Sequence, residues 1–144
     1  MNYGELLSSF LVDLQSLFRQ NIAIEGATFP QILALSTIPD DGIEMSALSK
    51  KIGIDNSTAT RLIIGLEKKG WVERMPSRYD KRVIEVFLTD GGDEIQAQLD
   101  TQFDKLGVAI EKEVDPLDRN EVIEYVSSLH WILSKLILKN EKIV

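Results

Sequence analysis

Mainly α, with one small β hairpin: that is the fold class the 144 residues predict. Three observations lead there. Apolar residues recur at helical spacing over long stretches near both ends of the chain. Two shorter helical patterns, parted by Gly53, fill residues 46–69. Directly behind them come two strand-like runs, 71–74 and 83–88, around a polar turn at 75–82. A helix pair followed by a hairpin is the order of a helix-turn-helix with a wing. It is an arrangement that lays one helix in a major groove and a basic loop beside it.

In chain order, residues 3–19 read as a helix with a broad apolar face of Leu6, Leu7, Phe10, Leu11, Leu14, Leu17 and Phe18; Gly4 is expected to fray its first turn. The face is monomer core or a contact with a second subunit. Residues 20–27 are a loop. Thr28 caps the next helix, Gln31 closes a capping box and Pro30 fits the first turn. Ile32, Leu33, Leu35 and Ile38 are expected to be mostly buried, and Pro39-Asp40-Asp41-Gly42 ends that helix as a turn. Ile43, Glu44 and Met45 read as a brief strand against the wing. Ser46 is the expected cap of the first helix of the pair, with Ala47, Leu48 and Ile52 inward and Gly53 as the tight turn.

The second helix of the pair has Asp55 as N-cap and an apolar stripe of Ala59, Leu62, Ile63 and Leu66. Lys68 and Lys69 in the last turn, then Gly70, are a helix stop. Ser57, Thr58, Thr60 and Arg61 lie at its start, where small hydroxyls and an arginine reach base edges and phosphates. In the turn behind it, Arg78, Lys81 and Arg82 are three cations. Asp80, two residues before Arg82, is placed to orient that guanidinium by a charge-assisted hydrogen bond. Lys50, Lys51, Lys68 and Arg74 would chiefly neutralise phosphates and set the salt dependence.

These residues carry a family resemblance. Leu66-Glu67-Lys68-Lys69-Gly70, Val72-Glu73-Arg74, Pro76-Ser77, Asp80-Lys81-Arg82 and Leu88-Thr89-Asp90-Gly91-Gly92 occur in the order and spacing of the MarR family of winged-helix regulators. The chain resembles that family most closely over residues 45–92. The resemblance implies a dimeric transcription regulator, contact between subunits through the first helix, and release from DNA by a small-molecule effector whose identity and contact residues stay open. Three positions depart from the family pattern: Gly65 stands where a cation is common, Met75 where arginine is frequent, and Tyr79 where a small or acidic residue is usual.

After the wing, Thr89 or Asp90 caps a long helix. Ile95, Leu99, Phe103, Leu106, Ile110 and Val114 form a seam along it, stepping by four or three. Residues 114–117 break it. Asp118 and Glu121 read as a capping box for a last helix whose apolar residues, Val122, Ile123, Val126, Leu129, Ile132, Leu133, Leu136 and Ile137, cover nearly all sides. A helix of that kind needs more cover than one small chain supplies, which favours a homodimer over a monomeric bundle. The expected architecture is a single domain over 1–144, with a winged-helix DNA-binding lobe at 28–89 and a helical dimerisation region made from 1–20 and 90–144.

Charge supports the same division. The chain has net charge −7, yet residues 46–82 hold nine cations and four carboxylates, a local +5 that leaves −12 for the rest. One basic face on an acidic body is the electrostatic footprint of a nucleic-acid binder. Other classes are disfavoured. With no cysteine there is no disulfide or thiol switch, and His130, as the one histidine, cannot form a multi-histidine metal site within one chain. No nucleophile–base pair or phosphate loop is visible, so neither a catalytic residue nor a cofactor is expected. The chain has no apolar run of membrane-spanning length and no leader-like start, so a cytoplasmic protein without a membrane partner is expected. The expected function is sequence-specific binding of double-stranded DNA, as a ligand-responsive repressor on a pseudo-palindromic operator. The competing reading is a winged helix that binds protein and no longer DNA.

Overall fold

The computed structural model describes residues 1–139 and 142–144, in two compact units, Met1–Asp104 and Lys105–Val144. The first opens with α1 (Tyr3–Asn21), which is two residues longer than its sequence pattern. Its first turn is not frayed at Gly4. Asn2 accepts the Glu5 N–H at 2.9 Å and the Glu5 carboxylate accepts the Asn2 N–H at 3.1 Å, a complete capping box. No residue of α1 is buried; Phe10, Leu11 and Leu14 stand exposed along it.

Helix α2 (Phe29–Thr37) begins with the expected Thr28–Gln31 box and Pro30. Ile32, Leu35 and Ile38 are buried, whereas Leu33 turns outward. Strand β1 (Ile43–Glu44) stops before Met45, which already belongs to α3 (Met45–Ile52). Ser46 is not the cap of α3: the N-cap is Glu44, without a side-chain bond. Ala47 is exposed, and Ser49 takes the buried place beside Leu48. Gly53, at φ 74°, closes α3 in the left-handed conformation that glycine adopts without strain.

Next come α4 (Asn56–Lys68), β2 (Val72–Pro76) and β3 (Ile84–Leu88). The sheet order is β1-β3-β2, all antiparallel, with Arg74 opposite Val86 and Pro76 opposite Ile84. β2 is an edge, which is where a strand tolerates proline; it runs two residues past its expected end, β3 starts one residue later than expected, and the turn between them is one residue shorter. Ala59, Ile63 and Leu66 of α4 are fully buried with Leu35, Ile38, Leu48, Val72 and Val86, so three helices and the sheet close one core.

Helix α5 (Asp90–Glu113) starts at Thr89, whose hydroxyl accepts the Gly92 N–H at 3.1 Å and donates to the Gly70 carbonyl at 2.5 Å. Gly92 is buried, and a Cβ there would overlap the Trp71 carbonyl oxygen, so only glycine lets α5 start so close to β2. Two glutamines tie α5 into this unit. Gln96 Nε2 donates to the Leu35 and Ile38 carbonyls at 2.9 and 2.8 Å, and Gln102 both donates to and accepts from the Ala23 backbone. Of the seam, Leu99 is buried here.

The second unit holds the end of α5 and α6 (Arg119–Leu138). The expected Asp118–Glu121 capping box is absent. Asp118 is itself helical (φ −100°, ψ −8°) and makes no side-chain cap bond. Arg119 Nε instead donates to the Glu111 and Val114 carbonyls, both at 3.2 Å. No residue of α6 is buried within the single chain. Among the described residues no helix is long and apolar enough to cross a membrane, and no His, Cys, Asp or Glu cluster could hold a metal ion.

Candidate nucleic-acid interface

The start of α4 is built from its cap outward. Asp55 Oδ1 accepts the Thr58 N–H at 2.7 Å, and that bond, more than the nearby Arg61 charge, holds the Asp55 carboxyl below its ordinary range. Arg61 donates to the Thr58 hydroxyl at 3.3 Å, and the Thr60 hydroxyl donates to the Asn56 carbonyl at 2.8 Å. Ser57 and Arg61 are exposed; Thr58 and Thr60 are half-buried. All four expected contacts of α4 therefore lie in its first two turns, with Ser57 and Arg61 fully outward.

The wing turn is rigidly closed. Ser77 N–H donates to the Val83 carbonyl at 2.7 Å, Val83 N–H to the Asp80 carbonyl at 3.0 Å, and the buried Ser77 hydroxyl accepts the Tyr79 N–H at 3.2 Å. Asp80 Oδ1 accepts from Arg82 N and Nε at 3.0 and 3.1 Å, and Oδ2 accepts from Arg82 Nη2 at 3.1 Å. Those bonds lower the Asp80 pKa and hold the guanidinium in one pose. Arg78, Tyr79 and Lys81 project into solvent from the tip.

Arg74 is placed differently from a free phosphate contact. Its Nε and Nη2 donate to Glu67 Oε2 and Oε1 at 3.3 and 3.1 Å, and its backbone N–H also reaches Oε2. This clasp joins the last turn of α4 to the root of the wing, and it lowers the Glu67 pKa. Glu67 lies seven residues away on a different element, so no local motif announced it. Lys51 and Lys68 are exposed, and Lys50 is half-buried.

Gly65 does not face the basic side. A Cβ built there would meet Gln31 Nε2 of α2 at 2.8 Å, so a side chain at this position points at a neighbouring helix. A cavity of about 320 Å³ opens between the start of α4 and the wing root, lined by Met45, Ser46, Asn56, Thr60, Arg74, Arg82, Val83 and Ile84. It brings Thr60, Arg74 and Arg82 together; Arg78, Lys81, Lys51 and Lys68 lie outside it. Asn56 joins them, a residue that its sequence position marked only as part of a first helical turn.

The fold and this face define a winged helix-turn-helix protein with a braced basic wing. The MarR family model matches residues 28–84. The chain is 34% identical over 90 residues to the multiple antibiotic resistance protein MarR of Escherichia coli K12, a match covering 62% of this chain and 58% of that protein. It is 31% identical over 84 residues to the HTH-type transcriptional regulator TtmR of Methylorubrum extorquens, covering 58% of this chain and 43% of that one. The chain thus aligns with about half the length of these two relatives. Among solved structures, a mutant MarR from E. coli complexed with operator DNA superposes with a TM-score of 0.69 at 27% identity, over 92% of this chain and 91% of that chain. The chain thus resembles MarR-family regulators over its winged-helix segment and, at 27% identity, the MarR fold over most of its length.

Proposed function

We propose that the chain is a transcriptional regulator that binds double-stranded DNA sequence-specifically as a homodimer. The observation that carries the reading is the geometry of one face: the first turns of α4 and the Asp80-braced Arg82 of the wing meet at one cavity edge, on a segment of local charge +5. The match of residues 28–84 to the MarR family model and the likeness to a MarR–operator complex support it. Ser57, Thr58, Thr60 and Arg61 supply base-edge and nearby phosphate contacts; Arg78, Lys81 and Arg82 serve the wing; Lys50, Lys51 and Lys68 neutralise phosphates. Arg74 approaches the same surface already paired with Glu67.

The dimer covers the apolar surfaces of α1 and α6, neither of which has a buried residue. Each subunit then offers one recognition helix to successive major grooves, about 34–36 Å apart on a pseudo-palindrome. The protein works in the cytoplasm as a repressor by occupying a promoter. A small-molecule effector releases it by binding one inter-subunit geometry better than the other.

Selection from a random double-stranded DNA pool at low salt, with Arg82→Ala beside the wild type, tests the reading. An inverted repeat with half-sites about one helical turn apart, weakened by the substitution, is the expected result. No enrichment, together with salt-insensitive residual binding, would overturn it in favour of a protein-binding winged helix.

A further inference from the structure

We infer that Asn56 contacts DNA through its amino group and reads hydrogen-bond acceptors there, because the buried Ser49 hydroxyl takes the Asn56 carbonyl and leaves the donor edge facing the cavity. This inference rests on the DNA-binding reading above and deepens it.

Ser49 is 4% exposed on α3. Its hydroxyl has one proton and two acceptors in reach, the Ser46 carbonyl at 2.9 Å and Asn56 Oδ1 at 2.5 Å. The shorter contact takes the proton. An asparagine side chain carries its acceptor and its two donors on opposite edges of one plane. With Oδ1 turned to Ser49, Nδ2 is on the opposite edge, and Asn56 itself lines the cavity beside Thr60, Arg74 and Arg82. Asn56 Nδ2 has no hydrogen-bond partner among the described residues.

Donors dominate the chemistry at that spot. Arg74 and Arg82 are donors only. Thr60 spends its proton on the Asn56 backbone carbonyl and keeps only acceptor lone pairs to offer. Asn56 adds two more N–H groups. Such a set is complementary to acceptor oxygens and nitrogens: a phosphate, or the O6 and N7 of guanine and the O4 of thymine in the major groove. It does not suit adenine, whose bidentate recognition by asparagine uses the carbonyl edge as acceptor as well as the amide as donor. Ser49 therefore acts as a positioning residue that sets which edge of Asn56 the DNA meets.

The test is equilibrium binding of the full chain to the selected operator and to an unrelated duplex of equal length, at one salt concentration. Wild type, Asn56→Asp, Asn56→Ala, Ser49→Ala, the double variant and Arg82→Ala are compared. Asn56→Asp keeps the Ser49 bond, suits a first helical turn, and puts an oxygen where the amino group was. It should lose about tenfold or more in operator affinity, as expected for a hydrogen bond replaced by repulsion of like charge. Asn56→Ala should lose less. Ser49→Ala should weaken operator binding in the wild-type background and change nothing in the Asn56→Ala background, a coupling that a purely structural serine would not show.

Equal losses on both duplexes identify a phosphate as the acceptor. A loss confined to the operator, with relaxed preference at one base pair per half-site, identifies an acceptor on a base edge. Wild-type affinity in both Asn56 variants, with Arg82→Ala still weakened, overturns this inference alone. No binding by the wild type overturns it together with the DNA reading. Far-UV melting of each variant separates loss of contact from loss of fold.

Discussion

The winged-helix lobe and the second unit use similar proportions of apolar residues in opposite ways. In the lobe, Leu35, Ile38, Leu48, Ile63, Leu66, Val72 and Val86 are all buried against one another. In α6, Ile123, Val126, Trp131 and Ile132 are about half exposed or more, and nothing on the helix is buried. The first region spends its apolar surface on its own fold. The second keeps its surface for something else. An amphipathic pattern read from sequence says that a face must be covered; it does not say by which chain.

The widest gap between the regions should appear in stability. Leu66→Ala, at a fully buried site, should cost about 2–5 kcal/mol in urea denaturation, independent of protein concentration. Ile123→Ala on α6 should cost little in dilute protein and more as concentration rises, because the loss then falls on association. A flat concentration dependence would break the comparison.

Next in size is the assembly itself. Ile132→Asp puts a charge on the exposed apolar face of α6 and should turn the proposed dimer into a monomer in sedimentation velocity, with helix content kept. A dimer that survives would move the interface elsewhere.

A smaller effect is expected at the Glu67–Arg74 clasp. Glu67→Gln should lower operator affinity severalfold while the melting temperature falls only slightly, since both side chains are partly exposed. The pH dependence has a definite sign. Arg74 holds the Glu67 pKa below its ordinary value. The clasp thus contributes above the unfolded glutamate pKa and is lost as pH falls through the folded one. Wild type and Glu67→Gln should differ in melting at neutral pH and converge in acid. A difference that persists in acid would mean that the clasp is not electrostatic.

The smallest effect belongs to Gly65→Ala. Removing a helical glycine gains about 1 kcal/mol, and the contact with Gln31 Nε2, the end of a flexible side chain, takes part of it back. The melting temperature should stay within a few degrees of wild type, with operator affinity unchanged. A marked change in DNA binding would show that this position does reach the basic face.

Much of this is legible in the order of the residues. Caps and stops act within one turn, so residue spacing reveals them: Thr28 with Gln31, Asp55 with Thr58, Gly53, and Gly70 after two lysines. The stripe Ala59, Ile63 and Leu66 follows from helical periodicity, and Asp80 reaches Arg82 because two residues of tight turn leave it nowhere better to go. Local rules also failed in identifiable ways. Asp118 could not cap because its own backbone is already helical, and Ser46 lost the cap position because α3 starts two residues earlier.

What the amino-acid order determined by itself, then, is the succession of helices, the wing, the charge asymmetry and the resemblance to MarR-family regulators. Tertiary structure alone decided that Glu67 clasps Arg74, that Gln96 ends on the α2 carbonyls, that Gly92 sits on the Trp71 carbonyl, and that Ser49 aims Asn56. The physical reason is range. A contact inside one turn depends on spacing, whereas a contact between elements depends on the angle at which they pack, and that angle is set by the whole core at once.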